Sequence, residues 1–168
     1  MLRREFPEGS QKLKPGHLIR DESFLEICDP RIKTFYQLWL SKKAGDRLPR
    51  RADFYPDEMI ELLPYLFMVD IEPESGDYRY RLVGTNEASL RNFDPTGKLV
   101  KDHYAASTAQ EALDNYDYVF SAKSFLFDAS EITRPLYTPI RDHTLFVPTS
   151  SDGATVDIVI GLGVQLDD

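Results

Sequence analysis

The sequence predicts an α+β domain: a five-stranded antiparallel sheet with helices on one face and a further helix preceding the sheet. Two strand patterns, at 65–71 and 78–85, flank a turn at 73–77, and three more close the chain at 124–129, 136–149 and 155–164. Between the two groups the apolar spacing changes from every second residue to every third or fourth, which marks helix. Hairpins within each group, with helices crossing one face, leave the other face for the helix that comes first.

Length and charge narrow the class. A chain of 168 residues suits one domain that can bury about two-thirds of its unfolded surface. Lys and Arg total 20 against 28 Asp and Glu, a net charge of −8, which repels phosphate backbones and argues against a nucleic-acid partner. Cys28 is the single cysteine, so no internal disulfide can form and a reducing compartment fits. Arg3 and Arg4 have no apolar run behind them, which argues against a signal peptide or a membrane span. The expected setting is the cytoplasm. Lys42, Lys43, Arg47, Arg50 and Arg51 form the one dense basic run, which reads as a solvated helix end and loop, or more sharply as a contact for an anion.

Residues 1–27 hold Pro7, Gly9, Pro15 and Gly16 with few apolar positions, and read as an N-terminal extension to a single domain at 28–168. Asp29 as N-cap and Pro30 at the first position start a helix in which Ile32, Phe35, Tyr36, Trp39 and Leu40 share a face. Gly45 is its expected stop. A short helix follows at 56–63, between Pro56 and Pro64. The strand at 65–71 is almost wholly apolar and reads as central. The next alternates, with Tyr78, Tyr80 and Leu82 on one face and Arg79, Arg81 and Val83 on the other.

A helix at 86–93, capped by Thr85 or Asn86, leads to a turn at 94–97 with Pro95 second and Gly97 last. Asp102 is the expected cap of a longer helix over 103–118, whose apolar side carries Ala105, Ala109, Ala112, Leu113 and Tyr116. In the last strand Val156, Ile158, Ile160, Leu162 and Val164 share a face, and Asp152-Gly153 makes the turn before it.

Trp39, Arg47-Leu48-Pro49, Arg51-Ala52-Asp53, Pro56, Leu62-Leu63-Pro64, Leu66-Phe67, Val69-Asp70, the run from Tyr80 to Thr85, Thr96-Gly97 and the run from Pro148 to Gly153 form an ordered set across residues 35–165. That set resembles the PAS sensor domains, in particular a bacterial subfamily of short stand-alone PAS proteins. The resemblance implies a PAS-like sheet and a sensory or signalling role that binds a small molecule or a protein partner, with no catalytic output of its own. It also implies that the first helix packs at a homodimer interface through Phe35, Trp39 and Leu40. The residues alone favour a Trp39 that caps the domain's own core. Because no kinase, cyclase or DNA-binding segment follows the last strand, output is expected to pass through a signalling partner.

The resemblance also implies an internal pocket, for which Tyr80, Leu82, Leu90, Phe93, His103, Tyr104, Tyr116, Phe125 and Phe127 are the candidate lining. Aromatic rings with hydroxyl handles suit a ligand part apolar and part hydrogen-bonding; the alternative is that these side chains fill the core completely. His17, His103 and His143 are isolated in sequence, so no metal site is expected. His103 stands where some haem-binding relatives place their axial ligand, but a histidine beside a helix start is ordinarily a polar surface residue, which argues against haem. Cys28 lies outside the helical region, which argues more strongly against flavin photochemistry. The rival class is a small enzyme using His103 or a carboxylate as acid or base in the same cavity.

Overall fold

The computed structural model describes residues 11–13, 17–104, 108–134 and 137–166. Its strands are β1 (Gln11–Leu13), β2 (Leu18–Ile19), β3 (Leu66–Ile71), β4 (Tyr78–Val83), β5 (Leu126–Arg134), β6 (Tyr137–Thr149) and β7 (Ile158–Leu166). They form one antiparallel sheet in the order β1-β5-β6-β7-β3-β4, with β2 also on β5. The five expected strands are its centre. The other two come from the segment read as an extension, of which residues 1–10 and 14–16 lie outside the described residues.

Poverty in apolar residues marks such a segment as an extension, but pairing to a sheet edge uses backbone groups. β1 and β2 cover β5, whose N–H and C=O groups would otherwise be open. A 3₁₀ turn at Glu22–Glu26, capped by Asp21 through Ser23 N at 2.9 Å, then buries Phe24 completely. The opposite edge, β4, is covered by residues 97–100: Gly97 N donates to Tyr80 O at 2.8 Å, and Tyr80 N to Lys98 O at 3.0 Å.

Helix α1 (Pro30–Lys42) starts as expected, with Asp29 accepting from Arg31 N at 2.9 Å. It ends earlier than Gly45, since Lys43 is already extended. Ile32, Phe35, Tyr36 and Trp39 are buried on the sheet, and Trp39 Nε1 donates to Pro148 O at 2.9 Å. Phe24, Tyr36 and Trp39 surround Phe125 with centroids at 5.3, 4.9 and 6.2 Å. Leu40 points away, 40% exposed.

The expected helix at 56–63 is instead a chain of 3₁₀ turns, Pro56–Glu58 and Leu63–Tyr65. Two prolines so close leave no room to propagate bonds to the fourth residue back, and a single turn does not repay its nucleation. Helix α2 (Thr85–Arg91) starts after Gly84 and has no side-chain cap; left-handed Asn92 ends it at φ 55°. The longer helix is α3 (Ala109–Ala122), not 103–118. Asp102 and His103 lie in a turn, and Ala105 falls outside the described residues. Thr108 caps α3 by accepting from Glu111 N at 3.1 Å, the Thr-x-x-Glu pattern that outcompetes Asp102. Leu136, the expected start of β6, also lies outside the described residues.

Strand β4 departs from simple alternation. Met68 pairs with Leu82 and Val69 with Tyr80, so Arg81 is an extra residue with no partner in register. A bulge of this kind shifts the side-chain phase. Tyr78 and Tyr80 stay buried, whereas Leu82 is turned out and 43% exposed.

His143 is 7% exposed under α1, its ring 5.1 Å from that of Phe127. Burial and the Arg141 charge lower its pKa, against the raising effects of Asp142, Asp128 and Asp29. The unfolded chain therefore binds a proton that the folded chain resists just below pH 6.5, so stability falls as pH drops from about 6.5. We expect denaturant unfolding midpoints to decline between pH 7.5 and 5.5, and His143→Gln to flatten that decline. For α1, Trp39→Ala removes a core ring and a hydrogen bond, and should lower stability by roughly 3–5 kcal/mol at every protein concentration tested.

Candidate functional site

Register and ring contacts sort the sheet into two faces. On the α1 face lie Phe125, Phe127, Leu145, Ile160, Leu162 and Val164, with Phe24 also against Phe127 at 5.0 Å. On the other lie Phe67, Tyr78, Tyr80, Phe146, Gly161 and Gly163, under α2 and α3. Tyr116 of α3 meets Tyr78 at 5.2 Å and Phe146 at 5.4 Å. The Tyr78 hydroxyl donates to Asp117.

Two glycines define the second face. A side chain on Gly161 would collide with the Phe67 ring, and one on Gly163 with the Glu87 carboxylate. Bare backbone thus lets Glu87, on the first full turn of α2, rest directly against β7. One turn later Arg91 enters the same interior. Glu87 and Arg91 are only 4% and 7% exposed.

Arg91 is unevenly served there. Its Nη1 donates to the Tyr80 hydroxyl at 2.9 Å and its guanidinium carbon lies 4.9 Å from the Tyr80 ring centre. Its Nε stands 3.6 Å from Glu87 Oε2 and makes no hydrogen bond. Burial works against the Arg91 charge, but Tyr80 and Glu87 outweigh it and the net pKa is raised. Tyr116, 4% exposed, has its pKa raised well above the ordinary value by burial and then by Tyr80. The site therefore holds the permanent Arg91 cation, the Glu87 carboxylate and the Tyr116 phenol, which burial keeps neutral at pH 7, in a dry setting. A buried guanidinium with an unfilled donor beside it recognises an acceptor or an anion.

Of the residues expected to line a pocket, Tyr80 touches Arg91, and Tyr116 lies near enough to both for its titration to feel them. Leu90 is half-buried on α2, and Tyr104 is buried in the chain segment that connects α2 to α3. Phe93 stacks on His103 at 5.4 Å and 24°, and His103 Nδ1 is buried without a hydrogen-bond partner. Leu82 is excluded by the bulge. Phe125 and Phe127 belong to the core under α1 because their odd positions on the β5 segment face away from α3. Phe35 and Trp39, expected at a dimer contact, lie inside this chain's own core.

Sequence reasoning missed Glu87 and Arg91, since an acid and a base four apart on a helix normally form a solvated pair. The available signal was Gly161 and Gly163, two residues apart and so on one face of an otherwise apolar strand. Among the described residues, no group of three or more His, Cys, Asp or Glu could hold a metal ion.

An antiparallel sheet with short helices over one face and a polar pair sealed beneath them defines an α+β domain with a charged interior. The sequence profile described as PAS domain matches residues 29–164, and the chain belongs to that family. Solved structures similar to it include a light-oxygen-voltage domain studied with a flavin analogue, at 10% identity and TM-score 0.49, covering 70% of this chain and 89% of that one. Another is the Rhodobacter sphaeroides LOV protein, at 12% identity and TM-score 0.43, covering 83% and 69%. The Aureochrome1 LOV blue-light photoreceptor matches at 11% and 0.45, covering 64% and 85%. No curated protein matches the chain. At these identities no ligand or chemistry carries over, and the expectation against flavin photochemistry gains no support from domains of this kind. Cys28 itself lies just before α1, its N–H bonded to Phe24 O at 3.0 Å.

Removing one member of a buried ion pair strands the other. Arg91→Met should destabilise the fold by roughly 3–5 kcal/mol, and Glu87→Leu combined with it should recover much of the loss. Urea unfolding of the two single variants and the double variant measures this coupling directly.

Proposed function

We propose that this PAS domain is a sensory module that holds a small molecule under α2 and α3 and passes its state to a signalling protein partner without chemistry of its own. The observation that carries the reading is Arg91: a permanent cation, almost wholly buried, whose Nε faces Glu87 at 3.6 Å and makes no hydrogen bond among the described residues. Unfilled buried donors are costly in a domain that uses them only for structure. The sensory role rests on the family, whose fold is typically non-catalytic.

The enzyme alternative uses His103 or a carboxylate of the same cavity as acid or base, and would be favoured by the two converging there. His103 instead stacks on Phe93, with its buried Nδ1 making no hydrogen bond. For location, composition supports the cytoplasm, and among the described residues no helix is long and apolar enough to cross a membrane. Self-association through α1 belongs to the same proposal and would rest on Leu40 and the exposed Gln37 beside it, since Phe35 and Trp39 are already occupied.

Thermal unfolding against a library of metabolites tests the ligand. A compound at one hundred times its dissociation constant adds about 2.7 kcal/mol, which in a chain of this size raises Tm by roughly 5–10 °C. An unmoved Tm across the whole library, with no retained molecule in native mass spectra, would remove the small-molecule part of the proposal.

A further inference from the structure

The loose Glu87–Arg91 contact names the ligand class. We infer that the site takes a short-chain monocarboxylate, which displaces Glu87 from Arg91 and thereby moves α2. This rests on the sensory reading above and specifies its ligand.

The geometry of the pair is the first argument. Charge-assisted N–H···O bonds run at about 2.7–2.9 Å, and a guanidinium favours two parallel ones. Glu87 reaches only 3.6 Å from Nε and leaves that donor unbonded. Its backbone is tied one turn away on the same helix, and its carboxylate is pressed against Gly163. A carboxylate free of the helix has neither constraint and can take the forked geometry.

Charge is the second. Arg91 is the one buried cation among the described residues. One monoanion leaving and another arriving keeps the interior charge unchanged, and the departing Glu87 regains its hydration. A phosphate or dicarboxylate would bring a second negative charge that no second buried cation among the described residues meets, at a large desolvation penalty. The Tyr80 ring lies against the Arg91 guanidinium, and the packed rings of Tyr116 and Phe146 lie on the same face of the sheet, surroundings that suit a short alkyl tail.

Coupling to the helix is the third. Glu87 has no room to withdraw along β7, so its release requires α2 to rotate or lift from the sheet. This helix has seven residues, no side-chain N-cap and a left-handed end at Asn92, so little holds it beyond its packing. Ligand binding and α2 displacement are therefore one event.

Isothermal titration and thermal unfolding with acetate, propionate and butyrate, beside phosphate, succinate and the neutral amides of the same lengths, test the inference. Wild type should respond to the monocarboxylates alone. Glu87→Gln removes the competing charge and should bind them about tenfold more tightly. Arg91→Met should lose the response, and if it fails to fold, Arg91→Lys, which keeps the charge but not the fork, should weaken it at least about tenfold. Amide hydrogen exchange of α2 should quicken with ligand. Unchanged affinity in Glu87→Gln, or equal binding by the arginine variants, would overturn the inference. If neutral compounds stabilise the protein and carboxylates do not, the inference falls while the sensory reading stands. If no compound of any class acts, the inference falls, and the metabolite library and native mass spectra decide the sensory reading separately.

Discussion

The absence of side chains at Gly161 and Gly163, on the helix-facing side of β7, is the constraint on which the rest of this structure depends. It thins the sheet at its centre, so that Phe67 can lie across one gap and Glu87 can be set into the other. Only then can α2 come close enough to put Arg91 beside Tyr80. With larger residues there, α2 would be held off the sheet and its charged pair would stand in water, where it contributes little. On its opposite side β7 presents Ile160, Leu162 and Val164, each completely buried. One strand thus serves as the middle of two unlike layers.

Those layers divide the work. Under α1 the packing is apolar and aromatic: Phe24, Tyr36, Trp39, Phe125 and Phe127 interlock with tilted or edge-on rings, and the indole N–H closes on Pro148. Burial of this kind supplies stability and fixes a single arrangement. Under α2 and α3 the interior instead keeps an ion pair and several phenols. A hydrophobic pair of the same volume would hold the fold as well or better. Retention of charge on that face, in a protein of the PAS family, is what gives the site its functional reading.

The sheet's borders follow from the same economy of backbone groups. β5 is covered by β1 and β2, and β4 by the strand-like run 97–100, so both ends of the central five strands are closed against unplanned pairing. Coverage of β4 also fixes the segment leading toward His103, whose ring stacks on Phe93 near the mouth of the helical layer. Among the described residues the edges are protected by pieces of two to four residues, too short for a periodicity to mark them as strands.

What the sequence determined by itself is what a few neighbouring residues can settle. Asp29-Pro30 and the spacing from Ile32 to Trp39 determined α1; apolar continuity determined β3, alternation determined β7, and Asp94 to Gly97 determined its turn. Thr108-Ala109-Gln110-Glu111 was equally legible as a cap, and Asp102 was the wrong choice between two local signals. Tertiary structure alone decided which face each side chain meets. One unpaired residue, Arg81, inverts the phase of β4 and sends Leu82 outward, and alternation gives no means of telling which face of Phe125 and Phe127 meets α1. Glu87 and Arg91 look locally like any solvated helical pair. Their burial is decided by Gly163, distant in the chain, because a side chain's surroundings are set by what packs upon it, while its secondary structure is set largely by its own turn.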